Sequence, residues 1–262
     1  MKKYVLILSL LLSIAFRTDD YVLLNTIKAQ VSFMTTDNLG YLYLLVNNEL
    51  RRYDEKGNLL KTFSDKSHGN IDFVDVTDPL KILLYFRDFR QILFLDNTLS
   101  IKTDPIVLDD LQLMQPILAC TSYDNGFWVY DQPDFQLVRF DQYLNNTNQS
   151  GNLAQLTGIE IKPEFLIETG GKVYLSDTAN GIFIFDKYGT YSKKLPFKNI
   201  TSFQVVDDNV IYSTASQEIR YNVKTFEQQT LDIPVRNVIS TRYEKNRIFV
   251  QDSASVKVYS IK

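Results

Sequence analysis

Residues 165–186 read Phe165-Leu166-Ile167-Glu168-Thr169-Gly170-Gly171-Lys172-Val173-Tyr174-Leu175-Ser176-Asp177-Thr178-Ala179-Asn180-Gly181-Ile182-Phe183-Ile184-Phe185-Asp186. Three short runs rich in Phe, Ile, Val, Leu and Tyr are separated by Gly-Gly and by Asp-Thr-Ala-Asn-Gly. Such runs are strands, and Gly, Asn and Asp between them supply the turns. The last run ends in an aromatic residue followed by Asp, and an ending of this kind, an aromatic or Leu followed by Asp, Asn or Ser, recurs along the chain. The copies are Leu50-Arg51-Arg52-Tyr53-Asp54, Ile92-Leu93-Phe94-Leu95-Asp96, Leu137-Val138-Arg139-Phe140-Asp141, Ile182 to Asp186, Ile219-Arg220-Tyr221-Asn222 and Val256-Lys257-Val258-Tyr259-Ser260. Successive endings lie 42, 45, 45, 36 and 38 residues apart.

A second β-rich run precedes each copy, as in Tyr41–Leu45, Lys81–Tyr85, Phe127–Tyr130 and Arg247–Val250. A third run comes before that, as in Ile71–Val76 and Phe203–Val206. Asp37–Gly40, Tyr123–Gly126 and Asp207–Asn209 join first to second runs. Asn and Asp tolerate left-handed backbone angles there, which suits a chain with only 10 Gly. Six units of three or four strands at a period of about 40 predict an all-β fold, a six-bladed β-propeller. Helix is confined to connections, with room for a turn at Leu108–Gln115 and Asn152–Gly158. The sixth unit reaches Lys262 directly after its third run, whereas Tyr21–Ile27 is a strand with no unit of its own. The expectation is that this N-terminal strand completes the last blade and closes the ring, leaving one domain over 16–262.

The first residues read differently. Met1-Lys2-Lys3 precedes an apolar run from Tyr4 to Phe16, too short to span a membrane and suited to the core of a secretory signal peptide. Ser13 and Ala15 place small residues at the −3 and −1 positions, so residues 1–15 are expected to be removed after Ala15. No Cys follows closely, so no lipid anchor is expected. The expected location is therefore exported, periplasmic or extracellular. Cys120, the single cysteine, is then safest buried.

The chain resembles the six-bladed propellers of the NHL and YWTD-like group, although the YWTD tetrapeptide is absent. Gly69 to Phe89 and Ser122 to Asp131 are similar to a family of exported propellers from Bacteroidota. The resemblance spans essentially the whole chain after residue 15 and implies a propeller without an established activity.

Composition narrows the chemistry. Lys and Arg number 28 against 31 Asp and Glu, a net charge of −3, so no basic footprint for nucleic acid exists. A single histidine, His68, excludes sites built from several imidazoles, and a single tryptophan, Trp128, reads as core. No Gly-x-Ser-x-Gly turn is present for a serine nucleophile. No catalytic residue and no cofactor is assigned.

The loops that a propeller gathers on one face carry Lys66, His68, Asn70, Arg87, Asp88, Phe89, Arg90, Asp131, Asp134 and Asn180. His68 itself reads as a solvated loop residue. The turn Arg87-Asp88-Phe89-Arg90 suits contact with a protein partner, because interfaces favour Arg and aromatic anchors. With His68 and Asn70 it forms the expected binding site, and the reading is a non-catalytic interaction module of the cell envelope. The alternative is a lactonase-like or hydrolytic enzyme acting on a small molecule or sugar, with a channel cation held by Asp72, Asp75 and Glu168 beside Asn70. Asp177-Thr178-Ala179 and Asp252-Ser253-Ala254 resemble O-glycosylation triplets of exported Bacteroidota proteins.

Overall fold

A computed structural model describes residues 21–262; the expected signal peptide at 1–15 lies outside them. The described residues form six four-stranded antiparallel sheets, each one blade of a six-bladed β-propeller. Blade one holds β2 (Phe33–Thr36), β3 (Leu42–Val46), β4 (Glu49–Tyr53) and β5 (Leu59–Phe63). Blade two holds β6 (Phe73–Asp75), β7 (Ile82–Phe86), β8 (Gln91–Leu95) and β9 (Ile106–Val107). Blade three holds β10 (Pro116–Thr121), β11 (Phe127–Asp131), β12 (Gln136–Phe140) and β13 (Asn146–Gln149). Blade four holds β14 (Phe165–Thr169), β15 (Lys172–Asp177), β16 (Gly181–Asp186) and β17 (Tyr191–Leu195). Blade five holds β18 (Ser202–Val206), β19 (Asn209–Ser213), β20 (Glu218–Asn222) and β21 (Gln228–Leu231).

The last blade contains β22 (Ser240–Glu244), β23 (Arg247–Gln251) and β24 (Ser255–Ile261), and its outermost strand is β1 (Tyr21–Lys28). β1 runs antiparallel to β24, with Tyr21 opposite Ile261 and Lys28 opposite Ser255. The ring is therefore closed by the N-terminal strand, as the unpaired run Tyr21–Ile27 predicts. Among the described residues helix is limited to a 3-10 turn at Leu108–Leu111 and α1 (Leu153–Thr157), both in connections between blades.

The core lies between the blades. Second strands are buried on both faces, as in β3, β7 and β11, and third strands such as β8 and β12 nearly so, because each blade packs against two neighbours. That is why these runs read as continuous apolar stretches and not as alternating ones. Six apolar clusters fill the six seams. Trp128 is fully buried, and so is the free thiol of Cys120, whose ionisation burial opposes by raising its pKa.

Buried and half-buried polar groups tie each seam. Asn48 bridges blades one and two by accepting the N–H of Ile71 and donating to the carbonyl of Gly69. Asp75 accepts the N–H and hydroxyl of Thr121 from blade three, both at 2.7 Å. Glu168 of blade four accepts the indole N–H of Trp128 at 2.7 Å and the hydroxyl of Ser122. Between blades four and five, the hydroxyl of Thr178 donates to the Ile200 carbonyl at 3.1 Å. Gln204 exchanges two hydrogen bonds with the backbone of Tyr243, and Gln251 donates to the Val31 carbonyl at 2.7 Å. In a low-dielectric seam each such bond fixes blade register, since leaving one partner unpaired costs about 1–3 kcal/mol.

Candidate functional site

The antiparallel order within each blade sends the turn between second and third strands to the face where inner strands begin. The connections from outer strands to the next inner strands reach this same upper face. The turn at 87–90 joins β7 to β8 there, and all four residues are exposed. The turn is held at three points. The N–H of Arg87 donates to Asp72 Oδ2 at 2.8 Å. Arg90, at φ 49°, places Nη2 3.0 Å from Asp109 Oδ2 of the neighbouring 3-10 turn. The Phe89 ring lies over Gly69, where an added Cβ would sit 2.7 Å from the ring. Phe89 nonetheless keeps 51% of its surface exposed. Half of its ring is therefore anchored and half faces outward.

His68 differs from its sequence expectation. Its side chain is only 17% exposed, packed with ring centroids 5.4 Å from Phe86. Nδ1 lies 3.0 Å from Gln91 Oε1, and Nε2 lies 3.6 Å from Asp65 Oδ2. The imidazole thus props the 65–70 connection against blade two, beside an exposed Asn70. Asp88 is exposed on the turn. Asp131 also departs from expectation: it is buried and accepts the N–H groups of Met114 and Gln115, fastening the connection that enters blade three. Asn180 donates to Asp177 within its own turn.

The three carboxylates of the cation alternative do not converge on the channel. Asp72 faces the backbone of Arg87, Asp75 the seam to blade three, and Glu168 Trp128 and Ser122. Strand alternation explains Glu168: Phe165 and Ile167 line the channel cavities, so the neighbouring Glu168 points into the blade. Among the described residues no group of three or more His, Cys, Asp or Glu side chains is placed to share a metal ion.

Phenyl rings occupy the channel. Phe33, Phe73, Phe165 and Phe203, one from each of four inner strands, form a continuous edge-to-face chain with centroids 5.4, 5.0 and 5.0 Å apart. Such geometry is the favoured one for aromatic pairs. Arg242 of β22 joins them, with Nη1 donating to the Phe203 carbonyl at 3.0 Å. This layer separates an upper cavity of about 260 Å³ from a lower one of about 120 Å³, and Phe165, Phe203 and Arg242 line both. Sequence reading missed this layer; its available signal was the recurrence of Phe near the start of four inner runs.

Of the two glycosylation triplets, Thr178 already donates its hydroxyl to Glu164 and Ile200, whereas Ser253 is exposed in the turn between β23 and β24. Among the described residues no helix is long and apolar enough to cross a membrane.

No family model matches the chain, and no curated protein matches it in sequence. Solved structures do match in shape. A streptogramin B lyase structure is similar over 92% of this chain and 98% of its own, with a TM-score of 0.64 and 12% identity. The Pan2 WD40 domain of Neurospora crassa is similar over 92% and 95%, with a TM-score of 0.65 and 8% identity. The extracellular domain of the putative one component system BT4673 from B. thetaiotaomicron is similar over 88% of this chain and 32% of that one, with a TM-score of 0.56 and 14% identity. At these identities the likeness is one of fold.

Proposed function

We propose that this propeller is an exported, non-catalytic interaction module of the cell envelope, and that its upper face receives a protein partner. The observation that carries the reading is the turn Arg87-Asp88-Phe89-Arg90: exposed, yet held by Asp72, Asp109 and Gly69. A preorganised turn loses little conformational entropy on binding, and Arg and aromatic side chains are the usual energetic anchors of interfaces. The likeness to an extracellular domain agrees with an exported location.

The test is a crosslinking capture from envelope fractions with wild type and the double variant Arg87→Ala, Phe89→Ala. The variant should lose the partner that wild type captures while its melting temperature stays within a few degrees. Hot-spot truncations cost about 2 kcal/mol or more in binding, and surface changes about 0.5 kcal/mol in stability. A folded variant that still captures the same partner removes the upper-face assignment. Export itself is checked by the intact mass of the protein recovered from the host's envelope, which should correspond to residues 16–262.

A further inference from the structure

Arg242 is 5% exposed and sits in the middle of the channel. Its Nη1 donates to the carbonyls of Phe203 and Thr241, at 3.0 and 3.4 Å, and among the described residues the guanidinium takes part in no ion pair. Burial pulls its pKa down to about 10, with the field of Glu218 working against that shift. Glu218 is committed elsewhere: it accepts the hydroxyls of Ser213, at 2.6 Å, and Thr241. Glu164, exposed where the upper cavity opens, accepts the Thr178 hydroxyl, and Glu244 lines the lower cavity. A buried cation without a carboxylate in contact is costly, and such a group is retained where something pairs with it.

The upper cavity supplies the place. Besides Arg242 it is lined by Ser32, Ser202, Ser240 and Gln251, by the phenyl rings of Phe33, Phe165 and Phe203, and at its open side by the exposed carboxylate of Glu164. The hydroxyls are already committed as hydrogen-bond partners within the fold. Ser32 donates to the Leu45 carbonyl at 3.1 Å, Ser240 to Gln251 at 2.8 Å, and Ser202 pairs with Ser213 at 3.0 Å. What their oxygens retain is accepting capacity, since each hydroxyl has two lone pairs. The cavity thus combines a buried guanidinium, several acceptor oxygens and flat apolar rings in about 260 Å³, with the Glu164 carboxylate at its open side engaged by the Thr178 hydroxyl.

We propose that the upper channel cavity binds a small polyhydroxylated carboxylate of the sugar-acid class. Arg242 receives the carboxylate, the serine oxygens accept ligand hydroxyls, and Phe165 and Phe203 meet its C–H face. Guanidinium matches carboxylate geometry, so both charge and donor fork matter. The site is independent of the turn at 87–90.

Titration calorimetry of the full exported chain with glucuronate, glucose and acetate tests the site. Glucuronate should bind saturably, at least about tenfold more tightly than glucose or acetate, because only it offers both the anion and the hydroxyls. Arg242→Lys should weaken glucuronate about tenfold while leaving the fold intact, as judged by its melting curve. If that variant does not fold, Ile239→Glu is read instead. Ile239 is 50% exposed and lines the cavity, so a carboxylate there repels the anion without touching the core. The Arg87→Ala, Phe89→Ala variant should bind glucuronate like wild type, which keeps this result separate from partner capture. Equal affinity for glucuronate and glucose, undetectable glucuronate binding at millimolar concentration, or full binding by Ile239→Glu would overturn the proposal.

Discussion

Asp186 accepts the N–H groups of Tyr188 and Thr190, each at 2.9 Å, and closes the turn that leads from β16 to β17. Asp54, Asp96 and Asp141 make the same pair of bonds to residues two and four further on. The third residue after each acid is left-handed: Gly57, Leu99, Leu144 and Gly189, with φ between 61° and 87°. The recurring acid of the sequence is therefore a turn residue, and its spacing records blade geometry. Asp186→Ala should cost about 1–2 kcal/mol, one to two net hydrogen bonds, read as a lower urea midpoint at unchanged slope. Hydrogen bonds lower the pKa of two of these acids: that from the Ser100 N–H is the largest cause at Asp96, and that from the Asn145 side chain at Asp141. Asp252 is held at about 2, chiefly by Lys257 and then by the N–H of Ala254. Because these folded-state values lie below the unfolded value of about 3.9, their stabilisation is complete above it and lost as pH falls through them. Glu218 and Glu244, raised by burial, act in the opposite sense at higher pH. Thermal stability should thus fall steeply only between about pH 4 and pH 2, and a flat melting temperature across that interval would contradict this account.

At the scale of elements, β1 closes the last blade from the far end of the described chain. No third-to-fourth turn exists there, and Ser260 stands where the other blades carry Asp or Asn. Deleting residues 21–28 would bare the edge of β24 and uncover the cluster in which Val256 and Val258 pack with Ile27. A whole ladder of bonds, each about 0.5–1.5 kcal/mol, rivals a typical total stability of about 5–15 kcal/mol. The truncated protein should show no cooperative melt under conditions where wild type does; a wild-type melting temperature would refute closure by β1. Glu168 offers a finer probe of one seam. Glu168→Ala leaves the buried indole N–H of Trp128 unpaired and should destabilise by about 2–3 kcal/mol, measured by urea unfolding.

At the scale of the molecule, Phe165 packs against the cluster between blades two and three and also against that between blades four and five. The phenyl layer thus couples blades that are not neighbours in the ring. Phe165→Ala should cost about 3 kcal/mol and lower the melting temperature in a single transition, because a gap at the centre weakens several seams together. Two separated transitions would show that the blades do not share this coupling.

Fold and closure were legible in the chain by itself, because both follow from local physics repeated six times. Doubly buried strands require continuous apolar runs, and their turns require Asp, Asn or Gly at fixed offsets. A strand without a unit, such as Tyr21–Ile27, has a single open edge to fill. The site was legible only as far as topology reaches: Arg87–Arg90 falls on the upper face whichever way its side chains turn. Tertiary structure alone decided which polar residues face outward. Asp131 and Glu168 read as surface or channel acids, yet the neighbouring chain supplies Met114, Gln115 and Trp128 as their donors. Arg242 belongs to the same class. Its strand marks it as one more residue of an inner run, and only ring closure sets it among four phenyl groups with no carboxylate in contact. The inter-blade hydrogen bonds described above join residues from 21 to 220 positions apart, and no local pattern encodes which of two faces a side chain will find occupied.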